Sequence, residues 1–388
     1  MARHYSPKSF FRHAPNAMLL RYFNQHGVLS EHDFSGIPET KIDPIYQAWL
    51  ALPDSQRGEM ERDFRDIDAL ACEGGVKAIL DEAEWHSENL AEILGAHEGF
   101  HEKAFWVFLD RPKLWPAARA FCRADSIGHS QWNECRTINH SSARVDDASI
   151  RALEKVLSYY FHNKEGRGKN CTVEPYRRGK LDYYFAYPED YVHASIEWEG
   201  ATFKRSARHP AFEIIFVYAQ DEGKISLYMK GSNATKKEIR ALFADTILGL
   251  ELGEFVEDDR VYDLAPLQDS NLSFQFSADS GIQSVAIKKF RLAINGTKER
   301  ITLEANPAQN HNAIYELRDK LCQTIPLSQM TITQVGIVVT YVPEPETGRV
   351  STRSFDINWP NSCSLKHDGK DAIVRNMLMA SGIEPHVK

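Results

Sequence analysis

The densest chemical pattern in the chain is His97-Glu98-Gly99-Phe100-His101, an H-E-x-x-H spacing. Histidines four residues apart on a helix share a face, so both imidazoles can reach one zinc ion while the glutamate between them activates a bound water. Ile93, Leu94, Phe100, Ala104, Phe105, Phe108 and Leu109 recur around them at helical spacing, and the apolar face they define takes in both histidines. A second constellation runs from His162 to Arg178 and holds Lys164, Arg167, Lys169, Arg177 and Arg178 against Glu165 and Glu174. Gly166 and Gly168 allow close backbone approach to a phosphate, which arginine forks grip in two-pronged fashion. Tyr183, Tyr184, Phe185 and Tyr187 follow directly, with rings suited to base stacking if they are exposed. Further cations cluster at Lys204-Arg205-Arg208, Lys236-Lys237 and Lys288-Lys289-Arg291.

The histidine motif resembles the zincin metallopeptidases over its five residues. The resemblance implies His97 and His101 as zinc ligands and Glu98 as general base. It supplies no third ligand, although Asp125, His129 and Glu134 lie within reach of a returning helix. Ala104 and Val107 stand where the longer metzincin version has Gly and His. The expectation is therefore that His97 and His101 are packed, hydrogen-bonded residues of a helical bundle and that no cofactor is bound. A zinc-dependent hydrolase is the alternative.

Other catalytic templates are missing: the chain has no G-x-x-x-x-G-K-[ST] phosphate loop and no G-x-S-x-G nucleophile elbow. Glu222-Gly223-Lys224 has an E-x-K form but falls in a turn pattern. Cys72, Cys122, Cys135, Cys171, Cys322 and Cys363 are scattered without a C-x-x-C pair, which reads as reduced thiols. Cys363, after Pro360-Asn361-Ser362, is placed for a structural connection, or for reactivity if it sits at a helix N-terminus.

The elements that must position these groups change character along the chain. Met18–His26, Pro44–Leu52, Ser55–Cys72, Val76–His86, Glu88–Leu109, Lys113–Arg123 and Asp147–Phe161 read as helices, with Asp54 and Asp146 as N-caps and Gly74-Gly75 as a stop. Beyond Lys164 the pattern turns to strands: Asp182–Tyr187, Ala201–Arg205, and three hairpins. Phe212–Tyr218 and Ile225–Lys230 flank Gln220–Gly223. Val285–Ile294 and Thr297–Ala305 flank Asn295-Gly296, and Thr331–Val342 and Arg349–Trp359 flank a longer tip. Helical patterns follow each, at Thr235–Leu250, Asn312–Cys322 and Lys370–Ser381. The expected fold is α+β: a helical N-terminal lobe, then antiparallel ββα units whose sheets are covered on one face and free on the other.

At 388 residues the chain exceeds the size of a single core, roughly 250–300 residues. The expected division is 1–163 helical, 164–180 basic linker, 181–252 α+β, 253–280 acidic loop (Glu254, Glu257, Asp258, Asp259) and 281–388 α+β. No run approaches the ~18 apolar residues of a membrane span, and the first residues lack a signal-peptide core, so a cytoplasmic location is expected. A net charge of −8 leaves only local basic patches to attract nucleic acid. The sequence thus reads as a non-catalytic, multi-domain binding or assembly protein. Its partners are nucleic acid along the basic linker, or another protein or copy of itself, and no membrane. The alternatives are the zinc hydrolase and a structural subunit of a larger complex.

Overall fold

The structure, a computed structural model, describes residues 5–29, 31–32, 36–128, 131–136, 140–250, 262–343, 348, 350–360, 362–365 and 369–384. The chain divides into two compact units. One comprises Met1–Ile127, Tyr176–Gly179 and Val192–Pro210; the other comprises Gly128–Pro175, Lys180–Tyr191 and Ala211–Lys388. The acidic run at 254–259, His129, Asn361 and most of the third hairpin tip lie outside the described residues. No helix among the described residues is long and apolar enough to cross a membrane.

The first unit is built on helices α1 (Pro7–His13), α2 (Asn16–Gln25), α3 (Asp43–Leu50), α4 (Asp54–Leu70), α5 (Glu73–Trp85), α6 (Ala91–Gly95), α7 (Phe100–Asp110) and α8 (Trp115–Ser126). In α4 the spacing of Met60, Phe64, Ile67 and Leu70 makes one apolar face, and all four are buried. Phe64 stacks on Phe10 of α1 with ring centroids 4.6 Å apart and meets Tyr22 of α2 at 5.1 Å. Burying such a ring contributes roughly 1.5–3 kcal/mol. Two local expectations are corrected. Pro53, not Asp54, holds the N-cap position of α4, and Asp54 instead pairs with Arg57 one turn on. Gly74 and Gly75 do not end α4; they open α5. A Cβ on Gly75 would lie 2.2 Å from the Leu70 carbonyl oxygen, so the tight passage from α4 to α5 requires glycine there.

The second unit begins with β1 (Trp132–Arg136) and α9 (Asp147–Glu165), followed by β2 (Cys171–Arg178) and β3 (Leu181–Pro188). Asp146 caps α9 as expected, accepting from the amides of Ala148 and Ser149. Strands β4 (His193–Glu199) and β5 (Thr202–Arg208) then form a separate hairpin whose residues fall in the first unit. The chain continues with β6 (Ile214–Ala219), β7 (Lys224–Tyr228), α10 (Asn233–Phe243), β8 (Ile282–Ile294), β9 (Arg300–Glu304), α11 (Ala313–Cys322), β10 (Met330–Tyr341), β11 (Thr352–Asn358), β12 (Ser362–Cys363) and α12 (Gly369–Ala380). The fold is α+β; the strand–strand–helix order holds for β6-β7-α10 and β8-β9-α11, and the third unit adds the short strand β12 before α12.

Two five-stranded sheets result, ordered β1-β7-β6-β3-β2 and β12-β11-β10-β8-β9. In the first, Leu153, Leu157 and Phe161 of α9 and Ile239 and Phe243 of α10 pack on Tyr184, Phe216, Tyr218 and Leu227. In the second, Ile314 of α11 and Val374, Met377 and Leu378 of α12 join Ile287, Phe290, Val335, Ile337, Val339, Phe355 and Ile357. Side chains alternate across a strand, so these residues define one covered face of the second sheet. The opposite face carries Ser284, Ala286, Val338, Thr340, Thr352 and Ser354, which meet in register.

Candidate functional site

The histidine motif is not helical throughout. Gly99 occupies the N-cap of α7 with φ 65°, a left-handed conformation natural to glycine, and the helix begins only at Phe100. His97 therefore precedes the helix, and the four-residue helical spacing that would aim both imidazoles at one metal is broken. The apolar helical face expected to hold both rings does not exist. Glu102 explains the local geometry: one carboxylate oxygen lies 3.0 Å from His97 Nδ1, and the other accepts from the Glu98 amide at 2.7 Å. This reach-back from the first turn caps the helix start. His101 is buried, with Nε2 2.9 Å from Asp68 Oδ1 and its ring stacked on His13 at 5.0 Å. The Glu98 residue is exposed. Asp125 binds Arg178, and Glu134 belongs to the other unit. Among the described residues no group of three or more His, Cys, Asp or Glu is arranged to hold a metal ion.

The basic stretch is folded into the two units. Gly166 caps α9 in the left-handed conformation, Gly168 lies against Phe161 where a Cβ would come within 2.6 Å, and residues 171–178 are strand β2. Lys164 Nζ is 2.6 Å from Glu238, and Arg167 binds Glu165 at 2.7 Å and Asp190 at 2.9 Å. Arg178 is buried between Asp81 at 2.6 Å and Asp125 at 3.1 Å. Lys169 is exposed, and Arg177 lies over the Trp85 ring at 5.8 Å. Carboxylates thus meet Lys164, Arg167 and Arg178. Of the rings beyond them, Tyr183, Tyr184 and Phe185 are buried and offer no stacking surface, while Tyr187 is half-buried. Cys363 lies in β12 rather than at a helix start, and burial pushes its thiol up to about 11 against the pull of Arg375.

Inside the second unit, four charges that the sequence did not single out together converge. Lys224 Nζ contacts Glu134 at 2.9 Å and Glu384 at 3.1 Å; Arg375 reaches the same glutamates at 3.4 and 3.5 Å. Tyr262 donates to Glu134 at 2.9 Å. Burial, and then the neighbouring Cys363, Glu134 and Glu384, hold its phenol far above the ordinary value and keep it a donor. Glu134, Lys224, Tyr262, Arg375 and Glu384 are all buried, and Arg240, buried as well, donates to the Glu134 carbonyl oxygen at 3.2 Å. The cluster's chemistry is that of a structural clamp joining β1, β7 and α12 to the chain's end.

The open chemistry is elsewhere, on the face of the second sheet opposite the one that α11 and α12 cover. A groove of about 880 Å³ is lined by Gln283, Ser284, Ala286, Lys288, Val338, Thr340 and Thr352 from the strands, and by Glu304, Asn306, Pro307, Ala308 and His311 beside them. Its floor owes its composition to irregular pairing. Gly336 and Ile337 pair with Lys289 and Ile287, leaving Lys288 as an extra residue; Thr340 and Tyr341 pair with Ser284 and Ile282, leaving Gln283. A bulge re-aims one side chain out of the strict alternation. Here both extra residues line the groove. Gly336 makes room at the first of these: a Cβ there would stand 2.9 Å from Asp356 Oδ1 and 3.3 Å from Lys288 Cε. Lys289 is drawn aside to Asp356 at 3.2 Å. The groove combines a cation, an imidazole, hydroxyls and amides with a small apolar wall.

Sequence reasoning named Lys288 within a cationic cluster but missed Ser284, Glu304, Asn306, His311 and Thr340. The available signal was the adjacent pair Lys288-Lys289 between the apolar residues Ile287 and Phe290 of one strand, a spacing that fits a bulge. Comparison of the chain with protein-family models, with curated proteins and with solved structures finds no match.

Proposed function

We propose that this chain is a ligand-binding protein whose site is the polar groove on the face of the sheet β12-β11-β10-β8-β9 opposite α11 and α12, and that its ligand is a phosphorylated sugar, with or without a base. The single observation that carries this reading is the groove whose floor is built by two bulges bringing Lys288 and Gln283 to it. Its volume falls within the range of sites for small molecules, roughly 300–1,000 Å³. Lys288 and His311 supply donors for an anionic group. Ser284, Thr340, Thr352, Asn306 and Glu304 match hydroxyls, and Pro307, Ala308, Ala286 and Val338 give a ring an apolar surface. These are groups for holding a molecule in orientation, and the reading is binding rather than catalysis.

Isothermal titration with adenosine 5′-monophosphate and ribose 5-phosphate tests it. Dissociation constants on the order of 10–100 μM are expected for at least one probe, with Lys288→Glu weakening it about tenfold or more, a loss of about 1.4 kcal/mol. Lys237→Glu on α10 makes the same charge change outside the groove and leaves affinity unaltered. Tighter binding of the nucleotide assigns the apolar wall to the base, and equal binding restricts the site to the sugar phosphate. Absence of binding at millimolar concentrations, or equal weakening by both variants, overturns the proposal.

A further inference from the structure

The first unit contains a pair of thiols in contact. Cys72 is the N-cap of α5, with its sulfur accepting from the Gly75 amide at 3.3 Å. Cys122 projects from α8, and each sulfur lies 3.8 Å from the same carbonyl oxygen, that of Ala69. The Cys122 thiol also hydrogen-bonds Cys72. Cys72 is exposed and Cys122 half-buried, so an oxidant meets Cys72 first. The turn that places Cys72 is the one that Gly75 permits, where the Leu70 carbonyl occupies the space of a Cβ. That hydrogen bond, and next the amides of Gly75 and Gly74, hold the Cys72 thiol down to about 6 against burial and Glu73. A lowered thiol favours the thiolate, the nucleophilic form.

We propose that Cys72 and Cys122 are a peroxide-reactive dithiol that closes to a disulfide. The Cys72 thiolate attacks one oxygen of hydrogen peroxide: an S–O bond forms, the O–O bond breaks, and the departing hydroxide takes a proton from solvent to leave as water. Cys72 is oxidised to a sulfenic acid and the peroxide is reduced. The Cys122 sulfur, giving up its proton, then attacks the sulfenic sulfur. The S–S bond forms, the S–O bond breaks, and a second water departs. Both sulfurs already sit around one carbonyl oxygen, and closure brings them to a bond of about 2.05 Å. The product staples the α4–α5 turn to α8.

Treating the purified full-length chain at pH 7 with a few equivalents of hydrogen peroxide, followed by non-reducing peptide mapping, tests this directly. The expected product is a peptide pair joined through Cys72 and Cys122, with 2 Da lost per event, formed before oxidation of the other cysteines. In Cys122→Ser, dimedone traps Cys72 as the sulfenic acid, because the resolving sulfur is gone. Oxidation that begins at another cysteine, or Cys72 oxidised without a crosslink to Cys122, overturns the proposal. The wild-type mapping reads the outcome whether or not the variant folds.

Discussion

At the scale of single residues, burial separates the groups that hold the fold from those that meet solvent. Lys224 illustrates the first kind. In the sequence it is the last residue of an E-x-K triplet in a turn pattern, whereas in the fold it opens β7 and is fully buried between Glu134 and Glu384. Its partners are remote in sequence, Glu384 by 160 positions, so no local pattern could announce the pairing. Removing one member of a buried ion pair leaves the other charge uncompensated, a cost of about 3–5 kcal/mol. Lys224→Ala is therefore expected to lower the urea midpoint markedly, whereas Lys224→Ala combined with Glu384→Gln recovers part of the loss. A single substitution that leaves the midpoint unchanged would contradict the clamp. His97 and His101 show the converse. Their spacing was legible, but Gly99, which takes the backbone out of the helix, decides that the spacing does not become a shared face.

At the scale of elements, hairpins were the most readable feature. Asn295-Gly296 marks the turn between β8 and β9, with Gly296 at φ 81°, and Gln220–Gly223 marks that between β6 and β7. Turn chemistry is local, so it survives in the sequence. The helices of the first unit were legible from their apolar period, except that α1 was not read and the stretch from Glu88 to Leu109 divides into α6 and α7. Strand β1 was missed because it is short and polar, and its burial depends on distant partners. The groove was hidden for a related reason, since a bulge is a statement about register between two strands. The hairpin of β4 and β5 makes a different case. Ile196, Trp198 and Phe203 are exposed on it, and it pairs with no third strand among the described residues. A two-stranded sheet is marginally stable alone. Amides of 194–207 are accordingly expected to exchange with deuterium at least about tenfold faster than those of β6 and β10, whose side chains are core. Equal protection would contradict that independence.

At the scale of the whole molecule, a net charge of −8 and carboxylates set against the sequence's most basic stretch turn attention from long-range attraction to a built site. The α+β order places two sheets in one unit, each with helices on one face, and the second leaves its other face to the groove. Whether that face binds is the claim on which the account rests. Amide chemical-shift mapping of the deuterated full-length chain during titration with adenosine 5′-monophosphate addresses it most directly. The account predicts saturable shifts at residues 283–288, 304–311, 338–340 and 352, with the first unit unmoved. Saturable shifts confined to other segments, or none at millimolar nucleotide and ribose 5-phosphate, would contradict it.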